Sequence, residues 1–310
     1  MTVRKSKKIK RNLEVLAFNG LMRFARALPR RAGLTFFSLV GTTASRIFRK
    51  DRDRAMSNLA LAFPDTPSSV RAALAGAMFK TLGKNFFEFL NLEGSSTERL
   101  SGLVEKIEGK EHLDEAMNLG RGLIVITGHI GCFELLAAYF ARQGYPLSVV
   151  GRELWEKRLN ERLIGIRESM GYRTIDRDTG GKDVLRVLRN GEVLAVLIDQ
   201  HTRVSGMYVP FFNRPAHTPT GVARLAVTTG APVLPMAIYM RHNGKHKIRI
   251  LPRLATPEKT MDKNEKITEL TRRCSLAIEQ LVRYDPKQWV WFHDRWREME
   301  GVEGELEAAY

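Results

Sequence analysis

From residue 103 onward, short apolar runs alternate with stretches of helical periodicity, and this alternation restricts the possible folds more than any other feature. The runs fall at 104–108, 123–128, 147–151, 173–175, 193–198, 233–239 and 247–251. Helical segments near Leu113, Leu136, Ile164, Val187, Ala223 and Ile278 separate most of them. Strand, helix and strand in succession form a βαβ unit, which builds a mostly parallel sheet with helices on its faces. The last two runs flank Asn243-Gly244, the commonest two-residue hairpin turn, so an antiparallel edge is expected there.

In an open α/β sheet, ligands gather at the carboxyl ends of the strands, where loops and helix N-termini meet. The second run, LIVITG, ends at His129, Gly131 breaks it, and residues 133–140 have helical spacing. Glu134 follows five residues after the histidine. On a tight turn into a helix, that spacing brings a carboxylate to one imidazole nitrogen and leaves the other to take a proton. The pair reads as a general-base dyad, with a hydrogen-bonded turn histidine as the plainer alternative. His293 and Glu298 repeat the spacing, but no strand precedes them. Arg152 follows the third run and Asp199 the fifth, so both are expected at the same crevice, with Arg167 joining from the helix near Ile164. Cys132 admits a nucleophile reading, against which stands a small buried thiol at a helix start. Residues 209–221, VPFFNRPAHTPTG, read as a long loop. Thr218 and Pro219 there would cap and begin a helix, with Thr220 in the same run, giving either an anion site or an ordinary N-cap. The segment 288–297, QWVWFHDRWR, reads as a strand or turn docking back on the sheet, with arginines suited to headgroups or phosphates.

The net charge of +16 is unevenly distributed: up to Arg54 there are fifteen Lys or Arg against three acidic residues, a surplus of +12. Such a basic segment suits an anionic surface, nucleic acid or membrane. Apolar runs at 13–22 and 32–45 interleave with these charges, and the second has no charged residue. Fourteen residues are too few to span a bilayer squarely but enough for an interfacial or re-entrant segment. The reading is an uncleaved anchor on the cytoplasmic face of a membrane, with Lys and Arg held by anionic headgroups and a pair of amphipathic helices packed on the core as the alternative. A short helix at 54–64, a turn at 64–67 and a long helix capped by Ser68 and running to about Leu92 follow. The expected fold class is therefore α/β, a mostly parallel mixed sheet flanked by helices, with an N-terminal helical membrane-associating extension. Its divisions are an anchor segment at 1–54, an α/β domain at 55–300 and a tail at 301–310. Two distant cysteines give no disulfide framework, which fits a reducing compartment. Nucleic acid is not the expected partner, because the basic residues alternate with long apolar runs rather than stacking aromatics. There is no His-Glu-x-x-His helix, Gly-x-Ser-x-Gly elbow, P-loop or dinucleotide fingerprint, so neither metal nor cofactor is expected.

Eight motifs in order carry a family resemblance: NLALAFP at Asn58, GHIGCFE around His129, GREL around Arg152, RESMG from Arg167, LIDQ around Asp199, VPFFN around Pro210, TPTG from Thr218 and QWVWFHDRW from Gln288. In these the chain resembles the lipid A biosynthesis late acyltransferases, a branch of the lysophospholipid acyltransferase superfamily, over roughly residues 13–297. Phe211-Phe212-Asn213 departs from relatives that have Gly at the last position, and the neighbourhood of His201 departs too. The resemblance implies His129 and Glu134 as catalytic dyad and Arg167 and Asp199 as further functional positions. It implies an acyl carrier protein or coenzyme A thioester as donor, a glycolipid acceptor, and the cytoplasmic face of the inner membrane. In the mechanism expected, His129 deprotonates an acceptor hydroxyl that attacks the thioester, Glu134 orients the ring, and amides at Gly131 and Cys132 stabilise the oxyanion. Arg152 and Arg167 would take phosphate groups, organised by Asp199. A thioester hydrolase and a non-catalytic membrane scaffold are the competing functions.

Overall fold

The computed structural model describes residues 2–258 and 260–297, with side chains from residue 11 onward. The tail at 301–310, Glu298 and the side chains of Arg4, Lys5, Lys7, Lys8 and Lys10 lie outside the described residues. Four helices open the chain: α1 (Thr2–Ala27), α2 (Arg30–Ile47), α3 (Arg49–Ala62) and α4 (Ser68–Leu90). Pro29 separates the first two and Pro67 precedes the fourth, each placed where a missing N–H costs no intrahelical bond. Ser68 is the first residue of α4 and not its cap, and α3 begins five residues earlier than expected and runs through position 54. The uncharged run at 32–45 lies wholly within α2. Among the described residues no helix is long and apolar enough to cross a membrane.

The α/β body follows as α5 (Thr97–Leu103), β1 (Val104–Glu108), α6 (Lys110–Met117), β2 (Leu123–Thr127), α7 (Phe133–Arg142), β3 (Leu147–Gly151), α8 (Lys157–Ser169), β4 (Arg173–Asp176), α9 (Gly181–Arg189), β5 (Val193–Leu197), β6 (Gly206–Phe211), β7 (Arg214–Pro219), α10 (Gly221–Thr229), β8 (Val233–Met240), β9 (His246–Ile250) and α11 (Lys263–Tyr284), with a 3₁₀ turn at Pro286–Gln288. The seven-stranded sheet has the order β1-β9-β8-β2-β5-β3-β4. Strand β2 is buried throughout, and its side chains alternate between two cores. Leu123 and Val125 face the α6 and α7 side, whereas Ile124 and Ile126 face the side packed by α9, α10 and α11.

Two features depart from the sequence reading. The β8–β9 hairpin through Asn243-Gly244 is present, but it is not the edge, because β1 pairs in parallel outside β9. That pairing satisfies the outer N–H and C=O groups that β9 would otherwise leave open. The expected loop at 209–221 is in large part a second hairpin, β6 with β7. Its turn residues Phe212 and Asn213 have φ of 53° and 55°, positions usually filled by Asn and Gly. A left-handed phenylalanine is costly. It is held because its amide donates to Glu279 Oε2 at 2.5 Å and its ring lies 4.3 Å from the Arg283 guanidinium.

Candidate active site

Strands β2 and β5 are parallel neighbours with Thr127 opposite Leu197, so the residues just beyond each pair meet at one rim. His129 follows β2 and Asp199 follows β5. A Cβ on Gly128 would lie 2.9 Å from Asp199 Oδ2, so only glycine admits this approach. Asp199 Oδ1 stands 2.9 Å from His129 Nδ1, and Oδ2 accepts the His129 amide and the Trp289 indole N–H, each at 2.7 Å. Burial alone would raise this carboxyl. The His129 charge and the hydrogen bonds from the ring, the indole and the amide outweigh it and hold Asp199 well below the usual carboxylate range.

Glu134 has different partners. It sits on the first turn of α7 and accepts Arg167 Nε at 3.1 Å, Arg167 Nη2 at 2.5 Å and the Tyr172 hydroxyl at 2.7 Å. No hydrogen bond or ion pair links it to His129 among the described residues. The expected pairing is thus corrected: Asp199 holds the imidazole and Glu134 holds the arginine, the reverse of the assignment read from spacing. The forked guanidinium and the phenol direct Glu134 toward α8 and Tyr172, and a buried carboxylate with those donors has no reason to turn back. Desolvation lowers the pKa of the largely covered Arg167, but the charges and hydrogen bonds of Glu134 and Tyr172 together outweigh it, so its pKa is raised. It also donates to Thr174 Oγ1 at 3.2 Å.

With Nδ1 engaged by the carboxylate, Nε2 is the basic nitrogen of His129. The Gln200 amide nitrogen lies 3.1 Å from that Nε2 and 2.5 Å from Nε2 of His293. The two imidazoles meet edge to face with centroids 5.4 Å apart. Burial first, then the charge of His129, lowers His293 to about 4, so its ring is neutral near pH 7. Sequence reading set His293 aside because no strand precedes it. It reaches the site because the C-terminal segment folds back: Trp289 bridges to Ile130, and buried Arg295 donates to the His217 carbonyl and, at 2.7 Å, to Thr218 Oγ1. Gln200, Tyr172 and Trp289 were also missed as contributors, since no local spacing marks them.

The remaining expected residues divide. The Gly131 amide donates to the Gln288 carbonyl at 2.9 Å and is therefore not available to an oxyanion. Its φ of +59° and a would-be Cβ 1.9 Å from the Ile238 carbonyl make it a packing glycine. The amides at the α7 start, beginning with Cys132, belong to the first turn of a helix, which has no intrahelical acceptor for them. The Cys132 thiol is buried, and desolvation pushes it far above the range of a reactive thiolate, which removes the nucleophile reading. Arg152 is exposed and forms no ion pair among the described residues. Thr218 lies inside β7, with its hydroxyl held by Arg295, so it caps no helix. Helix α10 starts at Gly221, preceded by Thr220, whose hydroxyl makes no cap bond and instead accepts Arg224 Nε at 3.2 Å. The expected anion site at this helix start is not assembled. No group of three or more His, Cys, Asp or Glu able to hold a metal occurs among the described residues.

One cavity reaches His129, and a second lies beyond Gln200. One, of about 260 Å³, is walled by Met78, Leu82, Phe86 and Phe89 of α4 together with Phe133 and Val290, and has His129 in its lining. The other, of about 360 Å³, is polar and includes Gln200 and His293.

A family model described as bacterial lipid A biosynthesis acyltransferase matches residues 3–298. The chain is 25% identical over 278 residues to a phosphatidylinositol mannoside acyltransferase of Mycobacterium tuberculosis (strain CDC 1551 / Oshkosh), covering 87% of this chain and 84% of that protein. It is 25% identical over 245 residues to a lipid A biosynthesis acyltransferase of Haemophilus influenzae, covering 78% and 74%. Against the lipid A biosynthesis myristoyltransferase of Escherichia coli (strain K12), identity is 25% over 254 residues, covering 81% and 77%.

Proposed function

The chain belongs to the bacterial lipid A biosynthesis acyltransferase family, and from that premise we propose that it transfers a fatty acyl chain from a thioester, of acyl carrier protein ahead of coenzyme A, to a hydroxyl of a lipid A precursor. The observation that carries this reading is His129, oriented by buried Asp199 and set in the wall of an apolar cavity of about 260 Å³. The cavity suits the acyl chain, and the basic nitrogen beside it suits a hydroxyl.

In this mechanism His129 Nε2 takes the hydroxyl proton as the acceptor oxygen attacks the thioester carbonyl. General-base help of this kind contributes about 10²–10⁴ in rate. The amides at the α7 start face the oxyanion, and the collapse of the intermediate breaks the C–S bond. The imidazolium then gives its proton to the departing sulfur. Asp199 stabilises the imidazolium and remains ionised throughout. Glu134 serves the reaction indirectly, by fixing Arg167 and the first turn of α7. Arg152, exposed on the rim beyond β3, is suited to a phosphate on either substrate. The protein works at the cytoplasmic face of the inner membrane, supported by exposed apolar and basic residues on its N-terminal helices.

A second acceptor has a specific argument in its favour: the phosphatidylinositol mannoside acyltransferase aligns over 87% of this chain, more than either lipid A relative. Purified protein incubated with acyl carrier protein or coenzyme A thioesters and either glycolipid distinguishes the two. Mass spectrometry is expected to show one acceptor heavier by a single acyl chain, and none with His129→Ala. Free fatty acid as the sole product, with or without acceptor, would make the protein a hydrolase.

A further inference from the structure

The polar cavity of about 360 Å³ is reached from His129 across Gln200, whose amide nitrogen stands 3.1 Å from the basic Nε2. Three separate parts of the chain build it. Asp51 and Arg54 come from α3, Gln200 and His201 from the segment after β5, and Phe292, Asp294 and Arg297 from the C-terminal segment. Two of these walls are tied together, because buried Asn58 on α3 donates to the carbonyls of Trp291 at 2.7 Å and His293 at 2.6 Å. The cavity is thus a fixed feature and not a gap between loose parts.

Its charges are not paired within the described residues. Asp51, Arg54, Asp294 and Arg297 form no ion pair or side-chain hydrogen bond among the described residues, although all four line one cavity. His201 Nδ1 beside them is buried without a partner. A neutral sugar would leave both guanidinium groups unused, and a bare phosphate would meet two carboxylates that repel it. A sugar phosphate satisfies both sets: forked arginine donors take the phosphate, carboxylates accept from ring hydroxyls, and Phe292 offers an apolar face to the ring. The side of entry identifies which substrate carries it. The acyl chain of the donor occupies the apolar cavity, whereas a group seated in the polar one presents its hydroxyls to Nε2 past Gln200.

We infer that this cavity is the acceptor headgroup site, binding a phosphorylated sugar through Arg54 and Arg297 with Asp51 and Asp294 on its hydroxyls. The inference rests on the reading of His129 as the base. Arg54 and Arg297 are exposed, so their replacement removes no packing. The test is steady-state kinetics in which acceptor and donor are varied separately, with whichever glycolipid gains a chain in the assay above. Arg54→Ala and Arg297→Ala are each expected to raise the acceptor KM at least tenfold while the donor KM moves less than twofold, and the Lys variants to recover part of the loss. Glucose 1-phosphate, as a soluble probe, should compete with the acceptor in the wild type and lose that effect in the Ala variants. A rise in donor KM instead would assign the cavity to the phosphate-bearing arm of the thioester, and an unchanged acceptor KM would remove the site altogether; both overturn the inference. If His129→Ala is inactive, either result leaves the proposed chemistry standing. An active His129→Ala would sink the chemistry itself.

Discussion

Asp199 accepts three hydrogen bonds, from the His129 ring, the His129 amide and the Trp289 indole, and their removal is felt in the reaction before it is felt elsewhere. Asp199→Asn presents an amide where two N–H donors converge. It leaves the ring without the charge that stabilises an imidazolium, so kcat is expected to fall by about 10²–10⁴ in folded protein. Glu134→Gln should behave differently, since it leaves buried Arg167 half-paired. A stability loss of about 3 kcal/mol is expected from the denaturant midpoint, with a smaller effect on kcat than Asp199→Asn. An equal or larger kcat loss in Glu134→Gln would restore the carboxylate on α7 as the partner of the base. The depressed groups also set the acid limb of stability. His293 is lowered to about 4 from an ordinary 6.5, so between those values the unfolded chain holds a proton that the folded one does not, and stability rises with pH across that window. At about 1.4 kcal/mol per unit the whole effect is roughly 3 kcal/mol. Urea midpoints at pH 7, 5.5 and 4 should therefore fall more steeply for wild type than for His293→Asn, and parallel curves would show that His293 is not the group responsible. Asp199 acts in a lower window: its contribution is complete above the ordinary carboxylate range and is lost as pH falls below it. His129 was legible because it ends an apolar run. Asp199 was legible at the same rim because it ends another run, but not as the partner of the ring, because seventy residues separate them and nothing in local spacing says that β2 lies beside β5.

Helix α4 carries one wall of the apolar cavity beside His129, and its position depends on two glycines. A Cβ at Gly41 of α2 would lie 2.1 Å from the Phe79 carbonyl, and one at Gly83 of α4 would lie 2.0 Å from the Phe37 carbonyl, so the two backbones touch. Gly83→Ala must separate the helices, at a cost of about 1–3 kcal/mol. It also shifts Leu82, Phe86 and Phe89, which line the cavity. The expected outcome is a lower melting temperature together with a changed preference among acyl thioesters of different length. A destabilised variant with the parent's length profile would show that α4 does not measure the chain. All seven strands of the main sheet lie where apolar runs marked them, because each run is bounded by polar or turn residues that end it sharply. The β6–β7 hairpin was hidden for the opposite reason. Pro210, Pro215 and Pro219 suggest an irregular loop, and a Phe-Asn turn carries none of the usual glycine signal, so its stability comes from Glu279 and Arg283 far away in the chain.

At the scale of the whole molecule, the two cavities and the basic N-terminal helices bear on a single question, how a water-insoluble acceptor reaches His129. Phe36, Leu39, Val40 and Ile47 on α2 and Leu82 and Phe86 on α4 are exposed, and the last two also line the apolar cavity beside His129. Arg23, Arg31, Arg46, Arg49 and Lys50 on α1 to α3 are exposed and form no ion pairs among the described residues. In the proposed membrane role these apolar side chains would enter lipid while the bordering cations stay with anionic headgroups, as on an interfacial surface. The proposed membrane role then makes a prediction that separates docking from chemistry. Leu39→Glu combined with Val40→Glu changes two exposed side chains outside the buried core, so folding is expected to persist. Each apolar side chain withdrawn from lipid forfeits on the order of 1.5–3 kcal/mol, so binding to anionic vesicles should weaken at least tenfold. Activity on acceptor embedded in those vesicles should fall with it, while activity on the same acceptor dispersed in detergent stays near that of the parent. For the wild type, vesicle binding should also drop as salt is raised toward 0.5 M, because the arginine contribution is screened over a Debye length of a few ångström at about that ionic strength. Undiminished vesicle binding by the double variant would mean that α2 does not face the bilayer, and the acceptor would then have to enter by another side of the molecule.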